Sequence, residues 1–312
     1  MSAMVSRSFT HKDRAGREGE PLKSHESSSA VSQAQAEFFD ESPPLYPWPR
    51  LLRSAGLGRV CKPREAKWKQ GFEDLALKPE DKVLDVGCGT GIWVDRLHRE
   101  FGITGFGIDI SSQSLRTATK ESPKSLSFLC AEGSVLPYRD GSFDAVISLD
   151  VLEHIEDQRR CLEEMSRVIS PGGSLFLWTL NRNQRFTWNW WLAQFGVDIL
   201  DRVAHDPTRL PNPDTVVDHL ENLGLQILSV DLFNSFFTLA ADEAIMVTVS
   251  LLEKLNLFEH EGRLASLFGR AFLASADALS RSLLGFLHWL DSPWISRGRS
   301  NGFVVLAKKP GI

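Results

Sequence analysis

From Lys82 to Leu180 short apolar runs alternate with segments of helical periodicity, and that alternation leaves few architectures open. VLDV (83–86), TGFGIDI (104–110), LSFLCA (126–131), FDAVISL (143–149) and SLFLWTL (174–180) read as strands. Helices are expected around Trp93 to Glu100, from Ser111 onward, and over CLEEMSRVI (161–169). Apolar strands separated by helices of about ten residues predict a mostly parallel sheet with helices on both faces. Ligands of such α/β sheets bind at the carboxyl ends of the strands, where the strand order reverses.

On either side the pattern changes. Residues 1–35 are rich in Ser, Glu, Lys and Arg and poor in large apolar residues, so they read as a disordered tail. A transit peptide is the alternative, against which Asp13, Glu18 and Glu20 count, since such peptides are poor in acids. A Pro-rich approach segment follows over 36–80, with a helix around Arg64 to Asp74 and a place over a pocket. The α/β core spans 81–180, and 181–312 forms the remaining part. In that part a helix is expected from Asp214 to Leu223, a strand near Leu225 to Leu232, a helical arm over 235–295 and a closing strand over 302–308. The whole reads as a Rossmann-like, doubly wound, mostly parallel seven-stranded sheet with a helical insertion before the last strand. The net charge of −5 gives no overall reason to expect a nucleic-acid partner. Cys61, Cys88, Cys130 and Cys161 are scattered, which matches neither a zinc site nor a disulfide framework and fits a reducing compartment. With no apolar run of spanning length and no secretory block, a cytoplasmic location is expected.

The stretch VLDVGCGTG places Gly87, Gly89 and Gly91 directly after the first strand. A turn of glycines brings backbone N–H groups close to a ligand, and the helix N-terminus beside it favours an anion. The spacing is G-x-G-x-G, and Ile92 stands where the third dinucleotide glycine belongs, which disfavours NAD. Asp109 closes the second strand, where an acid accepts hydrogen bonds from ribose hydroxyls. Asp85 would repel a phosphate, so a ligand with a ribose, an amine and a carboxylate suits the pair better. The plainer alternative is a core that binds nothing, its glycines serving only tight turns; it leaves both strand-end acids without a use.

VLDVGCGTG, GIDIS, CAEGSVLPY, FDAVISLDVLEHI and EEMSRVISPGGSLFLW, in that order from Val83 to Trp178, resemble the successive motifs of class I S-adenosylmethionine (SAM) dependent methyltransferases. The resemblance implies that Asp85 and the loop of Gly87, Cys88 and Gly89 face the methionyl end of SAM. It places Asp109 at the ribose, Ile110 on one adenine face, Glu132 and Gly133 at the adenine edge, and Leu149 along the site. Glu132 stands where the family more often has Asp. TLNRNQRF, followed by RVAHDPTRLPNPDTVVDHLENLGL, is similar to the corresponding region of ubiquinone-type O-methyltransferases, apart from a different insert. In those enzymes a Glu, Glu, His set matching Asp150, Glu153 and His154 is implicated in holding a divalent cation. On a helix these three would share a face and could hold Mg²⁺ or Zn²⁺ beside an acceptor hydroxyl. The alternative is that L-E-H here is structural, as in many metal-free methyltransferases. Transfer to a hydroxyl also needs its proton removed, for which His154 and His205 are the candidates.

Phe186, Trp188, Trp190, Trp191, Leu192, Phe195, Ile199 and Val203 form an aromatic, roughly helical stripe. Between Arg263 and Leu290 a narrow polar stripe of Arg263, Ser266, Arg270, Asp277 and Arg281 borders a wide apolar face. Such a face meets the protein's own core, a second subunit in a homodimer, or a membrane surface to which the chain is peripheral. The expected activity is methyl transfer to a small, apolar or lipid-linked acceptor, at a hydroxyl oxygen. The alternatives are methylation of a sugar or an amine in a biosynthetic pathway, and an inactive SAM-binding partner of another enzyme.

Overall fold

The computed structural model describes residues 36–37, 39–40, 63–195, 207–241, 244 and 285–311. Seven strands form one sheet: β1 (Lys82–Val86), β2 (Thr104–Asp109), β3 (Ser127–Cys130), β4 (Phe143–Leu149), β5 (Ile169–Leu180), β6 (Gln226–Phe233) and β7 (Gly302–Lys308). Their order is β3-β2-β1-β4-β5-β7-β6. β7 runs antiparallel to both of its neighbours, and the other pairings are parallel. The doubly wound sheet expected from the alternation is therefore present, and its order reverses at β1.

Helices with both ends among the described residues are α1 (Pro63–Asp74), α2 (Ile92–Phe101), α3 (Ser112–Glu121), α4 (Gln158–Val168), α5 (Trp188–Gln194) and α6 (Pro213–Asn222). Local chemistry sets their ends. The side chains of Ser111, Asp157 and Asn212 accept from backbone N–H groups of the first turns of α3, α4 and α6, and Pro213 stands in the first turn of α6. Gly102 closes α2 in the left-handed conformation.

Adjacent residues of β1 serve opposite faces. Leu84 and Val86 join Met165 of α4, Leu220 of α6, Leu175, Leu177 and Val305 in one buried cluster. Val83 joins Trp68 and Phe72 of α1, Leu97 of α2, Phe176 and Trp178 in the other. Coverage of both faces accounts for central strands that are mostly apolar rather than alternating. The loop after β3 is fastened to α4. Glu164 Oε2 accepts from Leu136 N at 2.9 Å, and the Arg167 guanidinium donates to the carbonyls of Leu136 and Tyr138 at 3.0 and 2.7 Å.

Beyond β5 the ties become long-range. The buried Asp291 carboxylate accepts from the backbone N–H groups of Ser235, Phe236, Phe237 and Thr238, capping the helical turn that starts at Phe237. Ile199, Val203, His205, the tail 1–35 and the arm residues Arg263, Ser266, Arg270, Asp277 and Arg281 lie outside the described residues.

Gly71 shows which force governs α1. A Cβ at this position would lie 2.0 Å from Phe176 Cε2. Glycine to alanine inside a helix ordinarily gains about 0.5–1 kcal/mol, but overpacking a filled core costs about 1–3 kcal/mol. Gly71→Ala is expected to lose about 1–2 kcal/mol in urea denaturation; a gain would mean that α1 can move away from β5.

Candidate active site

At the carboxyl end of β1 the chain turns through Gly87 and Gly89 at φ 76° and 52°. A Cβ at Gly87 would stand 2.2 Å from Val151 Cγ2, so packing and backbone together require glycine there. At Gly89 a Cβ would meet nothing within 4 Å, so the backbone at that point borders open space. The loop is tied to β2: Gly87 N and Cys88 N both donate to Ile108 O at 2.8 Å, and Gly89 N donates to Asp109 Oδ2 at 2.7 Å. Asp109 Oδ1 accepts from Ser111 N at 2.8 Å. A carboxylate offers about four lone-pair sites, so both oxygens keep acceptor capacity. Burial pushes the Asp109 carboxyl above the usual range, and the amides of Ser111, Gly89 and Ile110 pull it back.

Asp85 lies behind the loop and is buried, and its Oδ2 has no hydrogen-bond partner. Burial first, and the Asp109 charge second, push its pKa up to about 8. Cys88 is buried beside it, and burial likewise raises its thiol. Ile110 is half-buried after β2, and its carbonyl accepts a weak bond from the Cys130 thiol at 3.5 Å. After β3, Glu132 opens a turn in which Val135 N donates to its carbonyl at 3.0 Å. Gly133 is packed so closely that a Cβ would lie 3.1 Å from Cys161 Sγ and 3.3 Å from Val86 Cγ1. Leu149 is buried at the end of β4.

The D-x-x-E-H segment departs from the expected single helix. Asp150 has φ 55° and precedes a short 3₁₀ turn, Leu152–His154. A left-handed residue cannot continue an α-helix, so the three side chains do not share a helical face. Asp150 Oδ1 accepts from the Trp178 indole N–H at 2.6 Å, and Glu153 Oε2 from the Thr179 hydroxyl at 2.7 Å. Burial and the neighbouring Asp150 push Glu153 up to about 8, while Thr179 pulls the other way. Burial lowers His154 to about 4, against an upward pull from Asp150. Among the described residues no group of three or more His, Cys, Asp or Glu side chains is arranged to hold a metal ion.

Asp85, the glycine loop, Asp109, Ile110, Leu149 and the Asp150 to His154 turn thus meet at one edge of the sheet, around the point where its order reverses. Sequence reasoning missed Phe39, Asp40 and Ser111. The Phe39 ring meets the His154 imidazole edge-on at 5.2 Å, and Asp40 hydrogen-bonds Ser111 beside Asp109. Ser111 was legible as a helix cap; nothing in the pattern around Phe39 and Asp40 marks them.

Past β5, Phe186, Trp190 and Trp191 pack together as an aromatic rim. The guanidinium groups of Arg185 and Arg299 stand over the Phe186 ring at 5.0 and 4.8 Å, and the ring packs on Trp190. Trp191, Phe195, Phe286 and Trp289 are exposed. No helix among the described residues is long and apolar enough to cross a membrane.

Comparison with known proteins gives the family and the fold. The methyltransferase domain family matches residues 84–177. A ubiquinone biosynthesis O-methyltransferase of Thiobacillus denitrificans is 33% identical over 172 residues, covering 53% of this chain and 71% of that relative. The protein of the same name from Cupriavidus pinatubonensis is 30% identical over 173 residues, covering 54% of this chain and 68% of its own. The crystal structure of the cyclase SpnF shares the fold, with a TM-score of 0.56 and 20% identity over 90% of this chain and 97% of that one. The matched segment runs from β1 through most of β5, the strands that carry the glycine loop and the acids around it; the chain belongs to the class I SAM-dependent methyltransferases.

Proposed function

We propose that this methyltransferase transfers the methyl group of SAM to a hydroxyl oxygen of a small, apolar or lipid-linked acceptor. In this reading Asp85, Gly87, Cys88, Gly89, Asp109, Ile110, Glu132, Gly133 and Leu149 line the cofactor. The observation that carries it is the pair of strand-end acids, Asp85 with a buried, unpartnered oxygen and Asp109 with lone pairs to spare. SAM carries an ammonium, a sulfonium and ribose hydroxyls. A cation near Asp85 would relieve the penalty of burying its charge, and ribose hydroxyls could donate to Asp109. The open space at Gly89 allows close approach to the backbone. The name shared by the two relatives supports an oxygen as the acceptor atom.

Methyl transfer from an activated sulfonium is an in-line displacement, so the main task of the site is alignment. The chain's further contribution is to take the acceptor's proton. Burial leaves His154 neutral at neutral pH but makes it a weak base, and Asp150 beside it works against that by stabilising the imidazolium that forms. His205 remains the second candidate base. A divalent cation held by Asp150, Glu153 and His154 would have to compete with the bonds that Trp178 and Thr179 donate to the two acids. Exposed Trp191, Phe195, Phe286 and Trp289, with the arginines flanking Phe186, support contact with an anionic membrane surface, which would suit a lipid-linked acceptor.

Asp85 makes stability depend on pH. Its pKa rises from the ordinary 3.8 to about 8 in the folded chain. Between those values the folded state keeps a proton that the unfolded state releases, so stability falls as pH rises through the window. Glu153 acts in the same direction. Asp85→Asn is expected to reduce the fall by up to about 1.4 kcal/mol per pH unit in cofactor-free denaturation; an unchanged slope would mean that Asp85 is already ionised.

Calorimetric titration tests the cofactor placement, and transfer of labelled methyl to an alkylated catechol tests the acceptor. Asp109→Ala should lose binding of both SAM and S-adenosylhomocysteine (SAH), while His154→Ala and His205→Ala should keep it and lower turnover about tenfold or more. Label arriving only on amines would reject oxygen as the acceptor atom, label arriving only on sugars would reject an apolar acceptor, and full turnover in both histidine variants would reject the base. For the membrane contact, the protein should float with anionic vesicles; remaining in the bottom fraction would count against it.

A further inference from the structure

Phe39 and Asp40 lie outside the sheet, yet between them they touch residues on either side of the glycine loop. On one side Asp40 sits at the N-terminus of α3. Its Oδ1 accepts from the Ser111 hydroxyl at 2.6 Å and from Gln113 N at 3.0 Å, and its Oδ2 from the Ser112 hydroxyl at 3.4 Å. The carboxylate meets the positive end of that helix. Ser111 is fully buried and donates its own N–H to Asp109, so Asp40 is one residue removed from the acid that holds Gly89. On the other side the Phe39 ring packs against His154, with centroids 5.2 Å apart and planes at 88°. Ser111 follows β2 and His154 follows β4, and β1 with its glycine loop runs between those two strands. Two consecutive residues therefore bridge the strand that presents the loop.

We propose that Phe39 and Asp40 form a clasp across the cofactor cleft: they are positioning residues that hold the Asp109–Ser111 side and the His154 side in register and slow the release of cofactor. The proposal rests on the placement of SAM along Asp85, Gly89 and Asp109. Asp40 provides the anchor, because its bonds are directed and charged. Phe39 provides the reach, because an apolar ring closes over the imidazole face of the cleft and keeps water from it. A residue that merely capped α3 would act on the stability of that helix and leave the far side of the cleft unaffected.

The test measures the dissociation rate of SAH from the full chain by stopped flow, beside the melting temperature of the cofactor-free protein. Asp40→Ala is expected to speed release about tenfold, the scale of one lost cap, and Asp40→Asn, which keeps an accepting oxygen, to restore most of it. Phe39→Ala, which leaves every cap in place, should also speed release several-fold and abolish the ring-current shift of the His154 protons in NMR spectra. Unchanged release in both alanine variants overturns the clasp. Faster release in Asp40→Ala alone, together with a lower melting temperature, makes Asp40 only a cap and overturns it too. If Asp109→Ala retains SAH, the cofactor placement itself fails, and the clasp falls with it.

Discussion

The Asp109 carboxylate is the pin on which the site depends. The three glycines of the loop have no side chains with which to hold its shape, and a turn with so many positive-φ residues in isolation would sample many conformations. Asp109 restricts it by accepting the Gly89 amide at 2.7 Å, while its other oxygen takes the Ser111 amide at 2.8 Å and so aligns the start of α3. One side chain thus joins the loop after β1 to the turn after β2. The two strands arrive side by side in parallel register, with Val86 opposite Ile108, which delivers the loop within reach of that acid. The arrangement follows from sheet topology first and side-chain chemistry second.

Charge burial sets the energetic character of this edge. Asp85 and Glu153 are both buried, and both are held toward the neutral form, each with a second acid as the next cause after burial. Neutral or isosteric amide side chains would fold more easily there. Retaining acids at these positions costs stability as pH rises, and that cost is understandable where a positive group arrives with a ligand. Glu153 differs from Asp85 in having the Thr179 hydroxyl on one oxygen, so it also ties the turn after β4 to the end of β5.

The strands and helices of the core were legible because their signals are local. VLDV became β1 with one residue added, Ser111 became the cap of α3, and the segment after Asn212 formed α6 with proline in its first turn. Asp150 was not legible. Its left-handed backbone answers to Trp178, whose carbonyl takes the Asp150 amide at 3.2 Å and whose indole donates to its carboxylate. Those partners lie on another strand, and no helical periodicity in D-x-x-E-H reveals them. Phe39 and Asp40 were hidden for the same reason, since their partners lie more than 70 residues on and the spacing between them carries no period.

The two halves of the sheet are built differently, and this bears on how specificity can change. From β3 to β4 the site is assembled from bonds between adjoining strands and their following turns. From β5 onward the chain is stitched by distant polar contacts. Asn181 donates to Gly298 O and Ser300 Oγ, Gln184 to Asn301 O, Asn189 to Asn301 Oδ1, and Asp291 caps the turn at Phe237. Each of these joins the segment before β7 to the segments after β5 or β6. Substitution or insertion between β6 and β7 would therefore reshape the aromatic rim through those contacts, while Asp109 and the glycine loop keep bonds that none of them shares. A methyltransferase core can in this way stay constant as its acceptor changes.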